Sequence, residues 1–266
     1  MKTTIAENFL KNKSIGCPFE QPKYFEWVSA DDQAARFVTD SFIKSAKGEG
    51  QIAWLLEPFS LHPEDYTSAM KKPFDAVLTH NLYFANINNW LWYPRGGSWI
   101  DREYWGAHKK SRNISILMSQ KNTMTGHKFR HRIVEKLSGK IDDVFGLEKW
   151  IAPLDALAAY RYSVVVENEK SSYWFTEKLL NCLLVGTIPI YWGCPGICNF
   201  FNTDGFLLVD TLDDVQDAIG IANQKYYKSH QKTITENIEI AKKYVVCEDW
   251  IFENYRHLFG DELCVF

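Results

Sequence analysis

The sequence predicts an α/β fold with parallel sheets, arranged in two domains. The first observation is the stretch from Tyr162 to Trp192, in which a short apolar run, a helical pattern and a second apolar run follow one another. The two runs are rich in strand formers and too short for helices, so the stretch is typical of a right-handed βαβ unit. The second observation is that strand-like and helix-like segments also alternate in the N-terminal half. The third is the length of 266 residues, which suits about two domains.

The N-terminal half predicts two helices and two buried strands. An amphipathic pattern favours a helix over residues 31–47, which is followed by two glycines. Residues 51–56 (QIAWLL) and 74–79 (FDAVLT) are predicted to be buried strands, with a short helix over 63–72 between them.

The stretch from Trp90 to Trp105 is predicted to be a loop beside a cleft, because it contains four tryptophans, a proline and two adjacent glycines. We therefore expect one domain over residues 1–108 and a second over 109–245. Residues 246–266 are predicted to form a C-terminal helix that packs back on the first domain.

In the second domain the central helix has the clearest boundaries. Thr176 is its predicted N-cap, leucines recur at i,i+4, and Gly186 stands where a C′ glycine belongs. The other strands of this domain are predicted at 114–118, 140–144, 162–166, 188–192 and 206–209. Helices are predicted at 126–137, 153–160, 232–243 and 249–258. A further helix is predicted to begin at a capping-box pattern formed by Thr211 and Asp214.

Composition and charge exclude several classes of protein. Apolar residues make up 46% of the chain and charged residues 24%, as in ordinary soluble globular proteins. The net charge of −3 argues against general nucleic-acid binding. The sequence has no run of 18 apolar residues and no signal-like N-terminus, so no transmembrane segment is predicted. Peripheral contact with a membrane is neither indicated nor excluded.

The cysteines predict neither a metal site nor a disulfide framework, because they are scattered and lack zinc-binding spacing. Reduced thiols fit them best, and this favours a cytoplasmic location. The six positions are Cys17, Cys182, Cys194, Cys198, Cys247 and Cys264.

Four polar residues mark a candidate ligand site in the second domain. Ligands of parallel sheets bind beyond the carboxyl ends of strands, beside helix N-termini, and the sequence places Glu167, Asn168, Glu177 and Lys178 there. A lysine in the first turn of a helix opposes the helix dipole. A bound anion shared by its ammonium and the free backbone N–H groups would resolve this. The alternative is a solvated lysine beside Glu177.

A basic cluster lies on the preceding loop and helix, at Lys121, Lys128, Arg130 and Arg132. Arg130 is the best candidate for binding a diphosphate, because a planar guanidinium suits phosphate oxygens. The alternative is a solvated basic face.

Glu57 is the candidate general base, since it follows an apolar strand at its carboxyl end. A glutamate before a proline is also common as a plain turn residue. Glu64 and Asp65 are the other carboxylates considered for the role.

Taken together, these residues resemble a known family. The chain has Glu167-Asn168, then TEK at 176–178 and GTIPIYWG at 186–193. This pattern is similar to the C-terminal signature of family 10 glycosyltransferases, the α-1,3-fucosyltransferases. The resemblance is strongest over 160–209, weaker over 119–137, and at the N-terminus includes only Glu57 and the FDAVLT segment.

The resemblance implies the GT-B arrangement, in which two Rossmann-like domains face a central cleft. It also implies roles for individual residues. Arg130 and Lys178 would hold a nucleotide diphosphate, with Lys121 in the same basic cluster, and Asn168 and Glu177 would face the ribose or sugar. Glu57 would deprotonate the acceptor. The family usually has tyrosine where this chain has Trp174, so stacking on an aromatic ring is retained and a hydroxyl contact is not.

The implied reaction is inverting transfer of L-fucose, or a related sugar, from a GDP-sugar to a hydroxyl of a carbohydrate acceptor. No cofactor is required by this mechanism, and a divalent metal would at most stimulate it, since the sequence has no DxD triplet. The stem and membrane anchor of the animal enzymes are not expected. Two alternatives are a transferase that uses another GDP- or UDP-sugar and a non-catalytic protein that binds a sugar nucleotide.

Overall fold

The computed structural model describes residues 1–7 and 13–260. The chain forms two compact units. The first contains residues 1–95 together with the segment that begins at Val246, and the second contains Gly96–Val245.

In chain order the strands are β1 (Lys2–Ala6), β2 (Glu26–Ser29), β3 (Phe37–Thr39), β4 (Ile52–Trp54), β5 (Ala76–Thr79), β6 (Trp90–Trp92), β7 (Arg112–Leu117), β8 (Asp143–Phe145), β9 (Tyr160–Val166), β10 (Ile188–Trp192) and β11 (Leu207–Leu208). The helices are α1 (Pro63–Lys71), α2 (Thr125–Leu137), α3 (Pro153–Leu157), α4 (Glu177–Leu184), α5 (Leu212–Ile221), α6 (Gln224–Ser229), α7 (Gln231–Lys242) and α8 (Cys247–Asn254).

The first unit is built on a parallel sheet with the order β2-β1-β3-β4-β5-β6. One side of this sheet carries a core of large aromatic residues, among them Phe37, Trp54 and Tyr93, and Ile251 and Phe252 of α8 belong to the same core. The C-terminal segment therefore completes the hydrophobic core of the N-terminal unit.

Two predictions for this unit are wrong. Residues 31–47 do not form one helix, because Phe37–Thr39 forms β3 and only Asp40–Lys44 is helical, as a 3-10 turn. All three residues of β3 are buried in the middle of the sheet, where apolar side chains are needed on both faces. Trp90–Trp92, predicted within a loop, forms the edge strand β6, and strands β1 and β2 were not predicted.

The observed division of the chain falls after Arg95, whereas the sequence suggested residue 108. The glycines that follow are anchored in the second unit. The Gly97 N–H donates to the Tyr244 carbonyl at 3.0 Å, and the Ser98 hydroxyl donates to the Asn181 side chain at 3.0 Å. These bonds explain why the segment after Arg95 belongs to the second unit.

The second unit contains a parallel sheet with the order β11-β10-β9-β7-β8. Its central strand β9, the following helix α4 and strand β10 confirm the predicted βαβ unit, with Thr176 as N-cap and Gly186 at φ +69° just after the helix. Strand β8 begins three residues later than predicted, at Asp143. A ligand of this sheet is therefore expected beyond the carboxyl ends of β7 and β9, beside the first turn of α4.

Among the helices described within residues 1–7 and 13–260, none combines the length and the apolar character needed to cross a membrane.

Candidate functional site

A cavity of about 420 Å³ lies at the carboxyl end of the second unit's sheet. Its wall contains the end of β9, the end of β7 and the first turns of α4. The polar lining residues are Ser119, Arg130, Ser163, Glu177, Lys178 and Asn181, and the aromatic ones are Trp99 and Trp150. Cavities at this edge of a parallel sheet are the usual place for nucleotides and phosphates.

Helix α2 reaches this cavity because it begins with a close backbone contact. The Gly126 N–H donates to the Asn168 carbonyl at 2.8 Å. A Cβ atom at residue 126 would lie 1.8 Å from the Glu167 carbonyl oxygen, so only glycine fits here. This contact fixes the distance between α2 and the end of β9, and it places Arg130 one turn further along α2.

Arg130 is a buried cation in the wall of the cavity, with 6% of its surface exposed. Its Nε donates to the Val166 carbonyl at 3.0 Å, and its Nη2 donates to Asn168 Oδ1 at 2.9 Å. Burial lowers the pKa of Arg130 from its ordinary value, and the negative charges of Glu167 and Glu177 oppose that shift. No carboxylate in the described part of the chain lies within 4 Å of this guanidinium. Its orientation is fixed by hydrogen bonds to neutral groups.

Glu167 holds the two ends of the loop 168–175 together. It is fully buried and accepts from the Thr176 N–H at 2.9 Å and from the Thr176 hydroxyl at 2.7 Å. Burial raises the pKa of Glu167, and the ammonium of Lys178, 3.7 Å away, lowers it. This carboxylate fixes the N-cap of α4, a role that the sequence did not predict for it.

Lys178 lies among acidic and hydroxyl groups at the start of α4. Its Nζ is 2.9 Å from Glu177 Oε1 and 3.1 Å from the Thr176 hydroxyl. The free backbone N–H groups expected there are mostly occupied, since Lys178 N bonds to Thr176 Oγ1, and the N–H groups of Leu179 and Leu180 bond to the Thr176 carbonyl. An anion at this place would therefore be bound mainly by side-chain cations.

His127 interacts with the cations of the site, and the sequence analysis did not name it. It is 5% exposed, and its Nδ1 accepts from the Met124 N–H at 3.3 Å at the start of α2. Burial lowers the pKa of His127, and the positive charges of Arg130, Lys121 and Lys178 lower it further. Three predicted cations thus act on one histidine. The sequence signal that could have identified His127 is its position three residues before Arg130 on the same helix.

The remaining predicted residues of this unit, Asn168, Lys121 and Trp174, are not among the residues that line the cavity. Asn168 contacts Arg130 through its side chain. Lys121 is on an exposed loop, where its carbonyl contacts His131 Nε2 at 3.1 Å. Trp174 is buried within its loop and is not among the residues that line the cavity. The aromatic rings at the cavity are those of Trp99 and of Trp150, which is 75% exposed.

Glu57, the predicted base, belongs to the first unit and follows β4 at its carboxyl end. It is partly exposed, and its backbone carbonyl accepts from the Tyr66 hydroxyl at 3.1 Å. Of the alternative carboxylates, Glu64 is exposed on α1. Asp65 is buried, 3.6 Å from the ammonium of Lys44, and burial raises its pKa.

Comparison with known proteins gives two relatives named as fucosyltransferases. A putative fucosyltransferase-like protein of Arabidopsis thaliana is 25% identical over 208 residues, covering 73% of this chain and 39% of the relative. The α-(1,3)-fucosyltransferase FucT of Helicobacter pylori is 32% identical over 75 residues, covering 28% of this chain and 15% of that enzyme. The chain therefore matches well under half the length of both relatives. No family model matches it.

Solved structures of α1,3-fucosyltransferases are similar to this chain in fold. A crystal structure of an α1,3-fucosyltransferase with GDP has a TM-score of 0.56 at 15% identity, covering 98% of this chain and 92% of that one. An α1,3-fucosyltransferase with GDP-fucose has a TM-score of 0.52 at 13% identity, covering 90% of this chain and 82% of that one.

These comparisons place the chain in the GT-B glycosyltransferase fold class, which confirms the predicted fold class. Within that class the chain is similar in sequence to proteins named as fucosyltransferases and in fold to α1,3-fucosyltransferases, so the predicted resemblance is confirmed.

Proposed function

We propose that the protein transfers L-fucose, or a closely related sugar, from a GDP-sugar to a hydroxyl of a glycan acceptor, with inversion at the transferred sugar. The observation that carries the proposal is the buried guanidinium of Arg130 in the wall of a cavity that Lys178 also lines. The cavity volume of about 420 Å³ suits a sugar nucleotide. Structural neighbours in complex with GDP and with GDP-fucose support this choice of donor.

The proposed reaction proceeds without a metal. The acceptor oxygen forms a bond to the anomeric carbon while the bond from that carbon to the diphosphate breaks, and the electron pair leaves with the diphosphate. Arg130 and Lys178 stabilise the growing negative charge, because preorganised cations at a leaving group lower the barrier. Glu57 takes the proton of the acceptor hydroxyl as the general base.

Other polar groups of the cavity orient the donor in this proposal. Asn168 fixes the guanidinium of Arg130, and Glu177 accepts from a hydroxyl of the ribose or the sugar. Trp99 and Trp150 provide aromatic surface for the base of the nucleotide. The proposed location is the cytoplasm, which the free thiols of Cys17, Cys182, Cys194, Cys198 and Cys247 support.

A ligand screen tests the donor. Melting temperatures are measured with GDP, UDP, ADP, GDP-fucose and UDP-glucose, since a ligand at a hundred times its dissociation constant stabilises by about 2.7 kcal/mol. We expect GDP and GDP-fucose to give the largest shifts. Larger shifts with UDP and UDP-glucose would instead support the alternative of a UDP-sugar donor.

A pair of variants on α2 tests whether the cavity is the donor site. Arg130→Met should reduce the GDP-induced shift, and Arg132→Met, at an exposed position two residues along the same helix, should not. Equal shifts in both variants would contradict the assignment of the cavity.

Turnover separates the proposed enzyme from a pure binding protein. The wild-type protein should transfer fucose to a glycan and should slowly release GDP from GDP-fucose in the absence of an acceptor. Tight GDP binding with neither activity would favour the non-catalytic alternative.

A further inference from the structure

The turn that follows β4 carries Glu57 and is held by side chains from several elements of the first unit. Three consecutive backbone carbonyls, at residues 55–57, each accept a side-chain hydrogen bond. The donors are the Tyr93 hydroxyl to residue 55 at 2.9 Å, Arg95 Nε to residue 56 at 3.2 Å and the Tyr66 hydroxyl to residue 57 at 3.1 Å. A turn held at every carbonyl keeps the backbone of Glu57 in one place, which helps to position a base.

The same turn receives one contact from a carboxylate. Asp40 Oδ1 accepts from the Leu56 N–H at 3.3 Å, directly before Glu57. Asp40 follows β3 at its carboxyl end and has φ +42°, in the left-handed region. Few residues other than glycine adopt this conformation, and aspartate is among those that tolerate it best. Backbone strain of this kind is concentrated at functional sites.

The charge of Asp40 is controlled by its surroundings. Burial raises the pKa of Asp40 to about 6, the Leu56 N–H lowers it, and the negative charge of Glu57 raises it. Arg95 lowers this pKa and Asp65 raises it by smaller amounts. Asp40 therefore changes its charge close to neutral pH, unlike an ordinary aspartate.

Other charged and titratable groups lie on neighbouring elements of the unit. His80, just after β5, is neutral, because burial and the charge of Arg95 lower its pKa to about 3. Burial raises the pKa of Asp65, and Lys44 is 3.6 Å from Asp65 and 3.4 Å from Glu64.

We propose that Asp40 is a positioning residue for the base Glu57: its ionised carboxylate orients the turn through Leu56 and promotes proton transfer to Glu57. This inference rests on the proposed function, in which Glu57 accepts the proton of the acceptor hydroxyl. When that proton arrives, Glu57 becomes neutral, and two neighbouring negative charges become one. An ionised Asp40 therefore favours the transfer, and a protonated Asp40 does not.

Two substitutions separate the charge of Asp40 from its structural contact. Asp40→Asn keeps the size, the tolerance for positive φ and an oxygen that can accept from the Leu56 N–H, but it is neutral at every pH. Asp40→Ala removes both the charge and the acceptor. Asp75→Asn is the control, since Asp75 precedes β5 at the opposite end of the sheet and pairs with Arg36 at 2.5 Å.

The experiment is a pH profile of kcat and of the donor KM for the wild type and these three variants. The wild-type kcat should fall as the pH decreases through about 6. Asp40→Asn should lose about tenfold in kcat at pH 8, because the neighbouring negative charge that favours proton transfer to Glu57 is gone. It should also lack the change near pH 6 and keep the donor KM, whereas Asp75→Asn should match the wild type.

An Asp40→Asn variant with the wild-type kcat and the wild-type acidic limb would overturn the inference, whatever Asp40→Ala does. This result leaves the proposed function in place. Absence of transfer by the wild type, or normal kcat in Glu57→Gln, would instead overturn the proposed function, and the role of Asp40 with it. Melting temperatures show whether Asp40→Ala fails only because it does not fold.

Discussion

Lys178→Met gives the most direct test of the diphosphate site. The ammonium of Lys178 lies at the cavity, where it contacts the side chains of Glu177 and Thr176 and is 3.7 Å from the carboxylate of Glu167. Methionine keeps most of the length and removes the charge. A charge-assisted hydrogen bond to phosphate contributes about 1.5–3 kcal/mol, so the dissociation constant for GDP should increase roughly ten- to a hundredfold.

The same substitution also changes the stability of the protein, with a predictable dependence on pH. Burial raises the pKa of Glu167, and the ammonium of Lys178 is the largest of the effects that lower it, so without Lys178 that pKa rises further. A carboxyl group whose pKa is raised by folding contributes stability below its ordinary pKa, and this contribution is lost as the pH increases. The melting temperature of Lys178→Met should therefore fall further below that of the wild type at about pH 8 than at about pH 4.

Calorimetric titration with GDP measures the change in its dissociation constant. Lys136→Met is a matched control, because Lys136 contacts the adjacent Glu135 at 2.8 Å as Lys178 contacts Glu177 at 2.9 Å, but at the far end of α2. The control should bind GDP as the wild type does. Unchanged GDP affinity in a folded Lys178→Met variant would refute the assignment of Lys178 to the diphosphate.

Three further predictions concern metal, base and histidine. Transfer activity should persist in EDTA, because side-chain cations stabilise the leaving group, and complete loss that Mg²⁺ or Mn²⁺ restores would contradict metal-independent transfer. Glu57→Gln should reduce kcat about 10²–10⁴-fold with little change in the donor KM; near-normal kcat would exclude this residue as the base. Binding of GDP should raise the pKa of His127, since phosphate charge offsets Arg130, Lys121 and Lys178, which lower it in the free protein. NMR titration of the histidine ring measures this pKa, and no change in it would argue against phosphate near α2.

The central βαβ unit could be predicted because its signals are local and agree with one another. Thr176 as N-cap, Gly186 as the C′ residue and the apolar runs on either side each indicate the same boundaries. Residues 31–47 show the opposite case. Phe37 and Val38 fit the spacing of an amphipathic helix, but their burial in the sheet depends on neighbouring strands that no local pattern reveals.

Some features of the candidate site could likewise be predicted from the sequence, and others could not. Glu167, Glu177 and Lys178 could be selected because they follow a strand or begin a helix, where the position rule for parallel sheets applies. Arg130 could be selected because a planar guanidinium suits phosphate oxygens. The roles of Glu167 and His127 could not be predicted, since each acts through contacts that only the fold creates. Glu167 bonds to Thr176 across a loop, and His127 is affected by cations from two other segments.

Gly126 shows why the position of a cation can depend on a residue with no charge. From the sequence it was only the first residue of a predicted helix. In the structure it permits α2 to touch the backbone of Glu167 and Asn168, where a Cβ atom would overlap a carbonyl oxygen. Asn168 then bonds to Arg130, so the guanidinium, the loop and the helix are fixed relative to one another.

In the proposed complex the carboxylates of the site exchange partners when the donor binds. In the free protein Lys178 is neutralised by Glu177 and is also close to Glu167, while Arg130 contacts only carbonyl and amide oxygens within the described residues. In the proposed complex the diphosphate therefore meets Arg130 directly and competes with Glu177 for Lys178. Once displaced, Glu177 can accept from a hydroxyl of the donor, so a single exchange of partners binds the phosphate and orients the sugar. Glu177→Gln should then bind GDP at least as tightly as the wild type, because the competing charge is gone, and should transfer sugar more slowly. Calorimetry and kcat measured on the same variant separate the two effects, and weaker GDP binding would contradict this exchange.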